Sequence, residues 1–388
     1  MEFVDEMVAA QPGLVSKAVI GKSHEGRDIV AVRLGLNSTT TTTAASAEGG
    51  GAKPKNSVIV LGGVHAREWA SASMVNSIHN FAVHTSSSPR LTAILSTFDI
   101  YYIPITNPDG YEYTFTGDRL WRKNRQPLVE SMSFNSTRCV GIDINRNFPS
   151  GWQPSSRADW ALGLNGAGPC GLTYPGSKAA EAIEVKAVMD WAENVLVKEM
   201  RANVTAFYDV HAYSQLWMYS PGYSCVQKPH NPSALSSASL RASSAIARFS
   251  GARFTTGQIC PVLYAAAGCS TDWAYESLKA PYSFAIELSP GRDDGAGFLL
   301  PADRIRITAG EMQAGLLASL EEMAGIAEQK EGDEVVPGWR ASGNTASSKG
   351  EIDKKPKTAG SSGAGSTGSG WMSAVFGLGL AWWVSVVV

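Results

Sequence analysis

The stretch VIVLGGVHAREWASASMV, residues 58–75, runs apolar for four residues, breaks at two glycines and then sets His65, Arg67 and Glu68 almost side by side. A short β-branched run stopped by glycines reads as a buried strand entering a turn. In an open α/β sheet, ligands bind in the loops beyond the carboxyl ends of the strands. Two further apolar runs end in the same way: FYDVH stops at His211, and YSFAIEL carries Glu287 at its end. Two imidazoles and one carboxylate are a common ligand set for a hydrolytic zinc ion that keeps its fourth position for water. His65, Glu68 and His211 meet that count, and Glu287 is placed to act as a general base. A lone histidine at a strand end is more often structural, but four polar residues where three apolar runs stop argue against coincidence.

Outward from this stretch, IVAVRLGL and SVIVLGG read as a strand pair flanking a low-complexity loop, residues 37–56, while FDIYYIPIT, TAFYDVH and YSFAIEL read as sheet interior. SKAAEAIEVKAVMDWAENVLVK, residues 177–198, has helical apolar spacing from Ile183 to Val195, with Ser177 as its cap. WASASMVNSIHNFAVH, PSALSSASLRASSAIARF and RIRITAGEMQAGLLASLEEMAGIAEQK supply further helices. Strands alternating with helices predict an α/β fold: a mixed, mostly parallel twisted sheet with helices on both faces, in one domain spanning residues 1–326.

The 388 residues are 44% hydrophobic and 18% charged, with a formal charge of −2. That balance fits a globular protein and argues against nucleic acid as a partner. Five cysteines without a CxxC pair suit disulfides plus one leftover thiol better than a zinc ribbon. Sequons at Asn37, Asn135 and Asn203 point to a glycoprotein. No secretory signal stands at the N-terminus as written. Residues 327–370 form a Ser/Gly-rich linker too poor in apolar residues to order itself. Residues 371–388, WMSAVFGLGLAWWVSVVV, carry no charge and match a GPI-anchor signal, with a retained membrane helix as the alternative. Either outcome places the protein in the secretory pathway or at the cell surface, with its natural start upstream of Met1.

GDRLWRKNR (117–125) and GIDINRNF (141–148) combine arginine and asparagine in loops beside apolar positions, which suits fork-like recognition of a carboxylate. Ile142, Ile144 and Phe148 should bury the second segment, and a buried arginine needs an anion.

Together these segments resemble the zinc metallocarboxypeptidases, in particular the carboxypeptidase A/B-like branch, over essentially all of residues 1–326. The motifs are GGVHAREW, NPDGY (107–111), RLWRKNR, DINRNF, HAYSQLW (211–217), LYAAAGCSTDWAY and FAIEL, in order along the chain. The resemblance implies a peptidase that hydrolyses the C-terminal peptide bond of peptides or proteins with a water activated by one zinc ion. It implies His65, Glu68 and His211 as metal ligands, Asp143 behind His65, and Glu287 as proton carrier. It makes Arg125 the stabiliser of the oxyanion. Asn145, Arg146 and Tyr264 would hold the substrate carboxylate, with Arg67 and Tyr213 in neighbouring subsites. Thr271 would sit at the base of the terminal pocket, near Gly222, Ile259, Leu263, Ala266 and Ala285, which predicts apolar or aromatic C-terminal residues. Cys139–Cys170 is the disulfide the resemblance implies. Cys225–Cys260 is a second pairing that leaves Cys269 free, three buried thiols being the alternative. A monomer is expected, touching membrane only through its anchor. The alternatives are a catalytically dead peptide-binding relative and an amidohydrolase of the same fold.

Overall fold

The computed structural model describes residues 2–36, 56–128, 139–154 and 168–327. The loop at 37–55, the sequons at Asn37 and Asn135, most of the linker and the apolar tail therefore lie outside the described residues. The chain runs through α1 (Glu2–Ala10), β1 (Val15–Lys22), β2 (Asp28–Leu34), β3 (Asn56–Leu61), α2 (Trp69–Ala72), α3 (Val75–His84) and α4 (Pro89–Thr97). It continues with β4 (Phe98–Ile103), α5 (Pro108–Thr116), α6 (Ile183–Asp190), β5 (Asn203–Ser214), β6 (Leu216–Tyr219) and α7 (Pro232–Ser250). It closes with β7 (Thr255–Gln258), α8 (Ile259–Val262), α9 (Ser270–Glu276), β8 (Tyr282–Gly291) and α10 (Ala302–Met323).

One eight-stranded sheet has the order β1-β2-β4-β3-β5-β8-β6-β7, with β4, β3, β5 and β8 parallel at its centre. Because side chains alternate along a strand, Val58 and Val60 of β3 face one layer and Ile59 and Leu61 the other. The first layer packs on Phe81, Leu91, Leu235, Ile246, Leu316 and Leu320 from α3, α4, α7 and α10. The second packs on Val185, Val188, Leu196 and Trp273, from α6 and its continuation and from α9. Both faces are covered, which is why the central strands read as unbroken apolar runs.

Two expectations change. β2 and β3 do not pair: β4 lies between them, antiparallel to β2 and parallel to β3. The crossover through α2, α3 and α4 brings β4 to the edge of β3 that a hairpin would otherwise have filled. The helix expected from Ser177 starts at Ile183 and, after Asp190, continues to Glu199 as a π-helix. Ser177 caps nothing. Its backbone N and Oγ both donate to Glu181 Oε2, and Ala182 N donates to Asn147 Oδ1, so 177–182 is held as a loop.

Candidate metal centre

β3 delivers its loop through Gly62 and Gly63. Gly63 has φ +58°, and a Cβ there would stand 2.9 Å from the backbone of Pro104 and Ile105, so only glycine fits. The turn is fastened by Thr106 Oγ1 to Gly62 O, by Ser71 Oγ to Gly63 N, and by Asn107 Nδ2, which bonds both Val64 O and Lys123 O. Asn107 of NPDGY thus ties the loop after β3 to the RLWRKNR segment, and Ala66 N donates to Arg122 O alongside it.

The outcome is a buried cluster in which ligand atoms of His65, Glu68 and His211 all lie within 4.8 Å of one another. His65 Nδ1 is 2.8 Å from Glu68 Oε1, and His211 Nδ1 is 2.9 Å from Glu68 Oε2. The outward nitrogens are also engaged: His65 Nε2 lies 3.1 Å from Asp143 Oδ1, and His211 Nε2 lies 2.9 Å from Asp209 Oδ2. Carboxylates behind imidazoles fix which ring nitrogen faces inward and raise its basicity, as second-shell partners of zinc ligands do. Burial opposes the charge on Glu68, yet His65 and His211 hold its carboxyl well below the usual range. Likewise burial opposes and Arg122 favours ionised Asp143, which stays low. His211 is raised well above its ordinary value, Asp209 and Glu68 outweighing burial. Two imidazole nitrogens and an ionised carboxylate converging on one point fit zinc.

Glu287 pairs in register with His211 across β5 and β8. Its Oε2 is buried and has no hydrogen-bond partner. Burial, then the charge of Glu68, pushes its carboxyl up to about 8.

Of the arginines in RLWRKNR, the fold sets Arg122 against the cluster. Arg122 Nε and Nη2 each lie 3.0 Å from Asp143 Oδ2, and Nη1 is 3.7 Å from Glu68 Oε1. Arg125, the arginine expected here, has its guanidinium 3.8 Å from the Tyr113 ring centre and 4.6 Å from that of Trp121, with Nη1 buried and without a hydrogen-bond partner. The bond from Ala66 N to Arg122 O sets residue 122 beside the ligand loop.

Asp143 Oδ1 accepts from Asn145 N as the chain enters the short 3-10 turn Ile144–Arg146. Asn145 Nδ2 lies 2.9 Å from His211 Nε2 and its Oδ1 accepts from Ser270 N, so both ends of its amide contact protein. Arg146 Nη2 donates to Tyr264 Oη at 2.9 Å, and Nη1 lies 3.8 Å from Cys269 Sγ. Gly268, at φ +70°, lets its segment lie flat on the Arg146 backbone, where a Cβ would collide. Beside this pair is an apolar cluster of Leu216, Met218, Ile259, Ala266 and Cys269, with Leu263, Tyr264 and Ala285 partly buried against it. Gly222 adjoins Ile259 and is fixed by Asp272, which accepts from the backbone N of Gly222 and Tyr223. Thr271 is buried at the start of α9, its Oγ1 without a partner. Arg67 and Tyr213 meet on Phe298, the guanidinium 4.0 Å above its ring and Tyr213 edge-on at 4.9 Å.

The disulfides are Cys139–Cys170 and Cys225–Cys260, and Cys269 is a buried free thiol. Asn203, the one described sequon, is exposed.

Sequence reading missed Arg122, Asp209, Asp272 and Phe298. Asp209 had a usable signal, standing two residues before His211 on the same face of β5. Phe298 had none.

Comparison with known proteins points to one family. A family model described as zinc carboxypeptidase matches residues 1–315. Carboxypeptidase A2 of Mus musculus is 36% identical over 326 residues, covering 82% of this chain and 68% of that protein. A protein of Arthroderma otae named inactive metallocarboxypeptidase ECM14 is 34% identical, covering 82% of this chain and 52% of its own length. Among solved structures, carboxypeptidase A from Helicoverpa armigera superposes with a TM-score of 0.67 at 28% identity, over 84% of this chain and 72% of that one.

Proposed function

The chain belongs to the zinc carboxypeptidase family and is a metallocarboxypeptidase, and from that premise we propose that it removes apolar or aromatic residues from the C-termini of peptides and proteins. The observation that carries the reading is the unpartnered, buried Oε2 of Glu287, set in register with His211 beside the three-residue cluster.

His65 Nδ1, His211 Nδ1 and the Glu68 carboxylate would hold the metal. When bound, one zinc ion supplies Lewis-acid chemistry that acidifies water and polarises a carbonyl. Glu287 takes a proton from the attacking water as its oxygen bonds to the peptide carbonyl carbon, and passes it to the amide nitrogen as the C–N bond breaks. Arg125, whose Nη1 is buried without a partner, supplies positive charge to the oxygen that becomes negative, while Arg122 holds Asp143 behind His65. Arg146 and Tyr264, with Asn145 behind them, hold the free carboxylate of the substrate, which restricts cleavage to the last bond. The adjoining apolar cluster supports an apolar or aromatic terminal side chain, with Thr271 at its closed end. Arg67, Tyr213 and Phe298 receive residues further upstream.

Two disulfides support an oxidising compartment, and we place the protein in the secretory pathway or at the cell surface as a glycosylated monomer. Among the described residues no helix is long and apolar enough to cross a membrane; the apolar tail, outside them, is read as a GPI signal. The test is hydrolysis of N-blocked dipeptides ending in phenylalanine, leucine, lysine or glutamate, with and without a chelator. Release of phenylalanine and leucine that the chelator abolishes supports the proposal. Release indifferent to the chelator, or confined to lysine or glutamate, overturns it.

A further inference from the structure

Arg119 opens the RLWRKNR segment and has no part in the chemistry above. Its Nη1 donates to Arg67 O at 2.9 Å and its Nη2 to Phe298 O at 2.8 Å, while the guanidinium lies 3.7 Å from the centre of the Trp69 ring. Trp69 is itself held, its Nε1 donating to Thr114 Oγ1 at 2.9 Å and its ring stacked on Phe115. A planar guanidinium resting on an aromatic ring presents its donors as a rigid fork. Here the fork reaches two main-chain carbonyls, 52 and 179 positions away along the chain. Those carbonyls belong to the two residues whose side chains meet, Arg67 over Phe298 at 4.0 Å, with Tyr213 edge-on to the same ring. Arg67 stands in the loop after β3 that carries His65 and Glu68, and Phe298 in the loop after β8, the strand that carries Glu287. Among the described residues, the bond from Arg119 is the sole hydrogen bond that segment 292–300 makes to a distant part of the chain. Its other bonds are local: Gly297 N to Asp294 O, Leu299 N to Ala296 O, Ala296 N to Asp294 Oδ1, and Arg304 Nη1 to Asp294 Oδ2 at the start of α10.

We propose that Arg119 is a positioning residue for the part of the substrate that precedes the scissile bond. By holding both carbonyls on one guanidinium it fixes the spacing of the Arg67, Phe298 and Tyr213 side chains. Upstream residues of a peptide then meet a preformed wall. Without Arg119 the Phe298 loop has to be ordered as the peptide binds, and ordering a loop on binding costs affinity. The inference rests on the reading above that Arg67, Tyr213 and Phe298 receive upstream residues, and it adds that the affinity gained from a longer peptide passes through Arg119. The last residue of the substrate is assigned to Arg146 and Tyr264, which bond each other and not Arg119, so its binding stays independent of this clamp.

The test compares the zinc-loaded full chain with Arg119→Met and Arg119→Lys, measuring kcat and KM for an N-blocked dipeptide and an N-blocked tetrapeptide, both ending in phenylalanine. Arg119→Met raises KM for the tetrapeptide about 2- to 12-fold, on the scale of one lost hydrogen bond. Its kcat, and both constants for the dipeptide, stay within about twofold of the wild type, the pattern of lost binding that ground and transition states share. Arg119→Lys keeps the charge without the fork, falls between the two, and reads the same ratio should the methionine variant fold poorly. In a Phe298→Ala background Arg119→Met has at most a small further effect on the tetrapeptide, since residues acting as one unit are not additive. Arg241→Met breaks a comparable clamp onto Glu322 and Ile326 O and leaves the ratio of the two peptides unchanged. The proposal is overturned if the Arg119 variants raise KM for both peptides alike or for neither, if Arg241→Met shifts the ratio as far, or if the effects of Arg119→Met and Phe298→Ala add. Such a result, with Phe298→Ala alone still raising KM for the tetrapeptide, leaves the upstream reading standing. A Phe298→Ala variant that handles both peptides as the wild type does removes that reading and this proposal with it.

Discussion

Replacing Arg122 and Arg125 separately by methionine distinguishes two residues that are three positions apart and do different work. Arg122 holds Asp143 Oδ2 through Nε and Nη2 at 3.0 Å each and reaches to 3.7 Å from Glu68. Arg122→Met strips Asp143 of its counter-ion, and a weakened partner behind a metal-binding histidine costs about 10–100-fold in metal affinity, with kcat little changed at saturating zinc. Arg125 is stacked on Tyr113 and Trp121. At about 0.5–1 kcal/mol for each such contact, Arg125→Met loses about 1–2 kcal/mol of stability, and because its unpartnered Nη1 is the donor assigned to the developing oxyanion, kcat falls about 10²–10³-fold. The assay is steady-state hydrolysis of a blocked dipeptide ending in phenylalanine, at saturating zinc, with Tm and zinc content measured on each variant. A kcat loss in Arg122→Met that matches Arg125→Met, in folded and zinc-loaded protein, would refute the placement of Arg125 as the arginine that serves the reacting carbonyl.

Three further outcomes are expected. Glu184 is fully buried, accepts from Asn124 Nδ2 at 2.7 Å, and leaves Oε1 without a partner; burial pushes its carboxyl up from 4.5 to about 7. With the folded value above the unfolded one, its contribution is intact below about pH 4.5 and is lost as pH rises through 7, a change of up to about 3 kcal/mol. Glu184→Gln should therefore raise stability in urea melts at pH 8 and leave it nearly unchanged at pH 4; an equal effect at both would contradict this. Arg146→Met should raise KM for peptides with a free terminal carboxylate by about 10–100-fold, a charged hydrogen bond being worth about 1.5–3 kcal/mol, while peptide amides, already poor substrates, change little. Chelation should lower Tm, because zinc binds the folded chain and adds to its stability by mass action; calorimetry showing no shift would count against the site.

The parts of this molecule legible in the sequence are those whose signal is short-range. Four apolar runs marked the central strands, since a strand covered on both faces has no polar alternation to hide it. His65 and Glu68 were legible because they leave one turn together, and His211 because it interrupts an apolar run, although β5 continues past it to Ser214. Pairing was less legible: nothing local tells β2 that β4, and not β3, will be its neighbour. Seeing that Arg122 holds Asp143 required knowing that Ala66 N bonds the carbonyl of residue 122. The helix expected from Ser177 failed for a similar reason, because contacts of Asn147 and Glu181 override a serviceable capping residue. Phe298 joins Arg67 and Tyr213 from a loop more than 80 positions away, and no periodicity announces it.

The most direct test of the account is X-ray absorption at the zinc edge on the purified chain, alongside metal analysis. The account predicts one zinc per chain, with two imidazole nitrogens at about 2.0–2.1 Å and a carboxylate oxygen at about 2.0–2.2 Å, and loss of the signal in His65→Ala and His211→Ala. A sulfur ligand at about 2.3 Å, or zinc retained in full by both variants, would contradict it.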